Sequence, residues 1–417
     1  MSTWTPQHII NALVVSFGLF YQTTCCLMGM MLSSPVYHYG SRLVYLQWIN
    51  YILEIWSESL VAVFQVFSPS TLVFTMDDSC FKDSSSSVLT LDDLVERNDQ
   101  GQVTRLVFPD RVIVTLNHQT YADWAYAWCI AYLTKAHGAV KIILKDSLKI
   151  LPAYGPAMDY AEFIFVKRKL ASDQSTIVSN LERSKKDNRP LWLLVYPEGT
   201  IISENTRKKS KEYAAKNDLV GTLYSLNWCT MKDTRHTLLP RSSGLHLCMK
   251  SLDDSVEWLY DLTIGYSGIK AGDYPENIYT MGNIFFFNKQ PKEIHVHVRR
   301  FLVKDIPVHD ESAFSQWVYQ RWNEKDDMMA HFYKHGQFES SATITDCTFA
   351  FPLRLPDLWR LGMPSLLLLP YIPMALGVCL AAGNQNKGYR FSLAYARLLI
   401  YFATLLLSAS LHIDLLL

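Results

Sequence analysis

From Ile9 to Leu32 the chain reads IINALVVSFGLFYQTTCCLMGMML, a run without a charged side chain. It is long enough to cross a hydrocarbon core of roughly 30 Å. The pattern predicts a membrane helix rather than a cleaved signal peptide, since no Lys or Arg precedes it and no clear small-residue cleavage site follows. An interfacial or buried helix is the other form it allows. The next run, Tyr45 to Val66, is apolar and aromatic but carries Glu54 and Glu58 one turn apart, with Gln47 and Gln65. Two carboxylates make full insertion expensive, so an amphipathic helix is expected, lying on the bilayer or packing beneath a globular domain. Near the other end, Gly362 to Ala382 and Phe391 to Leu417 are apolar and separated by GNQNKGYR, which predicts a membrane hairpin. Pro364, Pro370 and Pro373 in the first arm and Arg397 and Asp414 in the second also fit a shallow re-entrant form.

Between these flanks, Leu72 to Phe338 alternates short β-rich apolar runs with helical and polar stretches, which predicts an α/β domain. Asp77 to Gln102, with four consecutive serines and several acids, reads as a loop or insertion. The expected organisation is therefore an N-terminal membrane helix and amphipathic helix over 1–71, an α/β domain over 72–345 and a C-terminal hairpin over 346–417.

Composition sharpens this picture. Lys plus Arg and Asp plus Glu each number 39 in 417 residues, so no global field draws the chain onto nucleic acid, and any anion site is local. Charged residues at 19%, hydrophobic residues at 49% and aromatics at 13% shift the balance toward membrane contact. The eight cysteines show no CxxC spacing, and Cys25, Cys26 and Cys379 sit inside apolar runs. Neither a zinc site nor a disulfide framework is indicated, and the chain fits a reducing compartment.

The chemistry is concentrated at strand exits. The strand RVIVTL over 111–116 runs into Asn117-His118-Gln119-Thr120-Tyr121-Ala122-Asp123, placing an imidazole just past a buried strand and a carboxylate five residues later. Asp123 folded back onto His118 would fix the ring tautomer and stabilise the imidazolium, leaving the other ring nitrogen to take a proton from a substrate hydroxyl. General-base assistance of that kind is worth roughly 10²–10⁴-fold in rate. Taken alone, the same spacing also describes ordinary turn capping. LWLLVY over 191–196 ends in Pro197-Glu198-Gly199-Thr200, FIFV over 163–166 ends in Lys167-Arg168-Lys169, and a fourth run gives Leu238-Leu239-Pro240-Arg241. In an open α/β sheet, groups gathered beyond strand carboxyl ends converge on one crevice.

In this order the blocks resemble the lysophospholipid acyltransferase family that includes 1-acyl-glycerol-3-phosphate acyltransferases, marked by NHxxxxD followed by EGT. The resemblance continues through Phe163–Arg168, Leu239–Arg241 and Arg321-Trp322-Asn323-Glu324-Lys325-Asp326-Asp327, and covers roughly Arg111 to Gly336. It implies the glycerolipid acyltransferase fold, a mixed sheet flanked by helices. It also implies His118 and Asp123 as catalytic residues, Arg168 on the phosphate of a lysolipid or of CoA, and Glu198, Gly199 and Thr200 at the acceptor site. A guanidinium suits phosphate oxygens, and Lys167 and Lys169 would raise the local potential, with Arg241 nearby as a further substrate-binding residue. Glu198 beside an anionic substrate needs a hydroxyl or base as partner, which favours contact with the acceptor hydroxyl or glycerol. Gly199 permits close backbone approach or simply a tight turn. Asn117 either orients its loop or donates toward an oxyanion. Ile201 stands where Arg commonly follows EGT, and the string EGTIISEN with PRSSG at 240–244 looks more like the lysocardiolipin and fungal lysophosphatidylinositol acyltransferase branch.

The expected reaction uses acyl-CoA as co-substrate, a lysophospholipid acceptor and the bilayer as medium, with no metal and no cofactor. Acyl-CoA is cytosolic and no Asn-x-Ser/Thr sequon occurs, so an endoplasmic reticulum membrane with the crevice facing the cytosol is expected. A lysophosphatidic acid acyltransferase and a catalytically silent lipid-binding scaffold are the alternatives; the lack of a GxSxG elbow lowers a hydrolase reading. His295 and His297 alternate with Ile294, Val296 and Val298 and so share one strand face, expected to be polar rather than metal-binding. Phe314, Trp317, Val318 and Trp322 have helical spacing and form an expected core stripe.

Overall fold

In the computed structural model the described residues are 4–83, 88–216, 234–339, 349–352 and 363–366. They form two compact units. One combines Met1–Val63 with Asp146–Phe163 and the described residues 363–366, so a stretch of the central segment groups with the N-terminal helices. The other combines Phe64–Lys145 with Ile164–Arg354.

In the first unit, helix α1 (Pro6–Leu32) begins with a capping box between Thr5 and His8 and with Pro6 in its first turn, where a missing N–H costs nothing. Ile9, Ile10, Leu13, Val14, Phe17 and Tyr21 are exposed, whereas Asn11, Thr23 and Gly29 are buried. This inversion of the usual soluble pattern gives the polar groups internal partners. Thr23 Oγ1 accepts from Trp56 Nε1 at 3.0 Å and the Gly29 carbonyl accepts from Trp48 Nε1 at 3.0 Å. The stretch Pro6–Tyr39 is long and apolar enough to cross a membrane. The amphipathic helix expected over 45–66 is α2 (Arg42–Phe67), which buries Ile49, Ile52, Ile55 and Leu60 and also Glu58. The expected C-terminal hairpin lies outside the described residues apart from a short helical turn, Met363–Leu366.

The second unit is built on an eight-stranded sheet comprising β1 (Thr71–Met76), β2 (Arg111–Leu116), β3 (Val140–Lys145), β4 (Ile164–Val166), β5 (Leu191–Val195), β6 (Trp258–Tyr266), β7 (Glu293–Leu302) and β8 (Phe349–Pro352). The spatial order is β8-β1-β7-β6-β2-β5-β3-β4. From β6 through β2, β5 and β3 to β4 every pair is parallel, whereas β7 is antiparallel to β6 and β8 antiparallel to β1. The alternation predicts α/β and the family resemblance a mixed sheet, and both are found here. Burial on both faces explains why RVIVTL and LWLLV read as continuous apolar runs.

Four helices bear on the strand exits or cover the sheet: α3 (Asp123–Leu133), α4 (Leu170–Asp187), α5 (Ser242–Leu252) and α6 (Glu311–His335). One core joins Ile113, Leu193 and Leu259 of the sheet to Leu181 of α4, Met249 of α5 and Phe314, Val318 and Trp322 of α6. The aromatic stripe is thus core, with Trp317 partly buried beside it. The polar stretch 77–102 carries more order than a plain loop. It includes a 3-10 turn at Asp78–Phe81, a helical turn at Leu91–Leu94 and a ribbon pairing Val95–Arg97 with Val103–Leu106.

Candidate active site

The exits of β2, β4 and β5 point the same way because these strands are parallel, and each delivers one of the polar blocks. Directly after β2, Asn117 turns inward. Its Oδ1 accepts from the backbone N–H of Ile264 at 2.8 Å, and its Nδ2 donates to the Ile264 carbonyl at 3.0 Å. Both groups of this buried amide are engaged by β6, so Asn117 anchors the loop to the sheet.

Asp123 opens α3 and is fully buried. Its Oδ2 lies 2.8 Å from His118 Nδ1 and accepts from the backbone N–H groups of Gln119 at 2.6 Å and Thr120 at 3.0 Å. Its Oδ1 accepts from Thr120 Oγ1 at 2.8 Å and from the Tyr266 hydroxyl at 2.5 Å. A carboxylate at a helix N-terminus is favoured by the exposed N–H groups there. Turn capping and imidazole orientation are therefore both performed by one side chain. With Nδ1 engaged, Nε2 of His118 is the nitrogen left to exchange a proton, and the ring keeps 20% of its surface exposed. The Tyr196 ring lies against it, centroids 4.4 Å apart and planes 31° apart.

Glu198 follows β5 and is buried. Its carboxylate accepts from the backbone N–H of His118 at 3.4 Å, from Trp322 Nε1 at 3.3 Å and from the backbone N–H of Leu238 at 3.2 Å. Burial pushes its pKa up to about 8, against the pull of those donors and of the Lys325 ammonium. These contacts tie the loops after β2 and β5 to α6. Gly199 ends a tight turn in which its N–H bonds to the Tyr196 carbonyl at 2.9 Å, with φ +69. A Cβ there would stand 3.6 Å from Arg241, so backbone conformation rather than space favours glycine. Thr200 is half-buried on the same turn.

Arg168 and Arg241 complete the polar set. Arg168 adopts φ +61, a left-handed conformation that costs a non-glycine residue about 1–2 kcal/mol. It is bracketed by Asp173 of α4, whose carboxylate accepts the backbone N–H of Lys167 at 2.9 Å and of Lys169 at 2.8 Å. Partial burial, and after it the charge of Arg241, lowers the Arg168 pKa from the ordinary guanidinium value. Arg241 itself is held by its backbone N–H on the Pro197 carbonyl at 2.7 Å and lies along Gly199. The two neighbouring guanidiniums form a local cationic site suited to phosphate oxygens. Lys167 and Lys169 are exposed beside it.

Several supporting residues lie outside the blocks at the strand exits. Asp261 of β6 takes Lys325 Nζ at 2.8 Å and Arg299 Nη2 at 2.7 Å, and Thr115 donates to it at 2.8 Å. Burial pushes the Asp261 carboxyl up, but Lys325 and Arg299 outweigh it and hold it below its usual range. A signal for Lys325 does exist in the sequence, since it follows Trp322 by three positions on the α6 stripe. Tyr266, Tyr196 and Asp173 left none. The expected polar face of His295 and His297 is a correction: both are buried. His295 bonds Glu293 at 3.2 Å, His297 bonds Thr75 at 3.2 Å, and burial, with Arg299 second, drives the pKa of His297 down to about 3. Among the described residues no group of three His, Cys, Asp or Glu side chains is placed to hold a metal ion.

Two family profiles match the chain, Acyltransferase over residues 102–245 and Acyltransferase C-terminus over residues 285–353. A 2-acyl-1-lysophosphatidylinositol acyltransferase of Saccharomyces cerevisiae is 37% identical over 271 residues, 56% of this chain and 65% of that protein. An uncharacterised acyltransferase of Schizosaccharomyces pombe is 32% identical over 308 residues, covering 74% of this chain and 81% of its own length. A lysocardiolipin acyltransferase 1 of Danio rerio is 32% identical over 227 residues, 54% of this chain and 53% of that protein. The chain thus spans 65% of the yeast relative and about half of the fish one.

Proposed function

Because this chain belongs to the acyltransferase family, we propose that it transfers a fatty acyl group from acyl-CoA to the free hydroxyl of an anionic lysophospholipid. The observation that carries this reading is the bond of His118 Nδ1 to the buried Asp123 carboxylate, which leaves Nε2 to act as general base. The acceptor hydroxyl gives its proton to Nε2 as its oxygen attacks the thioester carbonyl. The tetrahedral intermediate then collapses, the carbon–sulfur bond breaks, and the imidazolium returns the proton to the CoA sulfur. No resident cofactor enters this cycle.

In the same reading Arg168 and Arg241 hold a phosphate of the acceptor or of CoA, with Lys167 adding to the local potential. Asn117 and Glu198 position the loops, and Gly199 and Thr200 border the acceptor. Lysophosphatidylinositol or lysocardiolipin is the favoured acceptor type. The relatives named for those lipids support it, as does Ile201 in the place where Arg commonly follows EGT. Helix α1 would keep the chain with its lipid substrates and products, and an endoplasmic reticulum location with the crevice toward the cytosol suits a cytosolic acyl donor.

The test is transfer of labelled oleoyl and stearoyl groups from CoA to a panel of lysophospholipids, including lysophosphatidic acid, by membranes carrying wild type or His118→Ala at equal expression. A product lost in the variant names the head group. Absence of any transfer by folded wild-type protein would remove the acyltransferase reading and favour a lipid-binding scaffold.

A further inference from the structure

Strand β6 is longer than its neighbour β2. The register pairs Leu116, the last residue of β2, with Leu262, and β6 continues through Ile264 to Tyr266. The overrun carries the Tyr266 side chain, fully buried, to the Oδ1 atom of Asp123. The loop after β2 supplies the other donors to Asp123, from the backbone of Gln119 and Thr120 and from Thr120 Oγ1, so Tyr266 is the one donor that reaches this carboxylate from β6. We infer that Tyr266 is a positioning residue of the acyl-transfer centre, fixing the orientation and the charge of the Asp123 carboxylate that in turn sets the basicity of His118. The inference rests on the proposed His118–Asp123 mechanism.

The physical reason is a division of charge. A carboxylate that receives a short hydrogen bond from a phenol places less negative charge on the oxygen facing the imidazole. Without that donor Asp123 holds the imidazolium more strongly, so a larger share of His118 is already protonated at a given pH. Its torsion is then also fixed by Thr120 alone on the Oδ1 side. The other titratable groups around the pair are Tyr126 and Tyr279, whose rings flank Tyr266, Tyr196 against the imidazole, and Glu198 on the His118 backbone. Tyr333 of α6, bonded to Gln119, faces Asp123 as well, and all of these groups are retained in Tyr266→Phe, which differs from wild type only in the phenol hydroxyl.

The experiment measures acyl transfer against pH for full-length wild type, Tyr266→Phe, Tyr279→Phe and His118→Ala in membranes, with thermal unfolding of each. Expected for Tyr266→Phe is a loss of about tenfold in kcat, KM little changed, and an acid limb displaced to higher pH. Tyr279→Phe, which loses a bond to the Ser267 carbonyl, keeps the wild-type limb. Replacing Tyr266 with 3-fluorotyrosine, a stronger donor of the same shape, moves the limb to lower pH and serves if the Phe variant does not fold. An unmoved limb in both Tyr266 proteins, with His118→Ala inactive, overturns the positioning role alone. An active His118→Ala protein overturns the underlying mechanism instead.

Discussion

Ile202 donates its backbone N–H to the His118 carbonyl at 2.9 Å. The segment beyond the Glu198 turn is thereby bonded to the residue proposed as general base, while Glu198 itself accepts from the N–H of that same residue. His118 is clamped on both sides of its backbone by one loop, and the two sequence blocks are mechanically a single object. Disturbance of either is therefore expected to reach the other.

Asp123→Asn is expected to lower kcat by about 10³-fold or more with intact folding, because an amide either misorients the imidazole or withdraws the charge that stabilises the imidazolium. Single-turnover acyl transfer measures it. Activity within a few-fold of wild type would mean that Asp123 serves only to hold the turn that precedes α3.

Asn117→Ala removes both partners of Ile264 and leaves a buried N–H and a buried carbonyl of β6 without them. A stability loss of about 2–3 kcal/mol is expected, seen as a lower unfolding temperature in detergent. If instead unfolding were unchanged while kcat fell, the amide would have to act on the oxyanion.

Glu198 makes stability depend on pH. Its folded pKa of about 8 lies above the ordinary carboxyl value of about 4.5, so the folded state binds the proton more tightly than the unfolded chain does. The stability this contributes is complete below the unfolded value and is lost as pH rises through the folded one. Unfolding temperatures of wild type should fall between about pH 5 and pH 8. Those of Glu198→Gln, which cannot ionise, should follow a flatter course, and parallel curves for the two proteins would contradict this assignment.

Asp173 is expected to act on substrate affinity from a distance. Asp173→Ala frees the N–H groups on either side of Arg168 and with them the left-handed conformation that aims this guanidinium. KM for the phosphate-bearing substrate should rise about tenfold while kcat changes less. Arg168→Lys should not restore affinity, since an ammonium lacks the planar fork. A purely structural Asp173 would show lower stability with unchanged KM.

Lys325→Met is expected to destabilise by about 3–5 kcal/mol, since Asp261 loses one of its two cations in a fully buried setting. Adding Asp261→Asn to it should destabilise by less than the sum of the two single changes. Additive losses would indicate that the pair is not coupled.

The parts of this centre that were legible in the sequence share one property: they follow strands in the chain. β2 and β5 announce themselves as unbroken apolar runs, and His118, Asp123, Glu198 and Arg168 lie within a few residues of a strand end. Tyr266 and Asp173 were not legible because their roles depend on strand overrun and on a loop's backbone direction, neither of which leaves a periodic trace. His295 and His297 misled for a related reason. Alternation correctly put them on one face, but the face is covered by Phe332 and Phe338, which lie beyond the reach of a local pattern.

The position of β1 has a consequence for how the protein is made. Both of its partners lie far downstream, β7 beginning at Glu293 and β8 at Phe349, so β1 leaves the ribosome long before either neighbouring strand exists to pair with it. At ordinary elongation speeds the wait is on the order of tens of seconds. Helix α1, by contrast, is complete from the outset and can partition into lipid during that interval. The expected order of biogenesis is therefore tethering first and sheet closure last, with an unpaired strand edge in between. Nascent chains stalled before Glu293 should be retained by chaperones at the membrane, unable to complete the sheet.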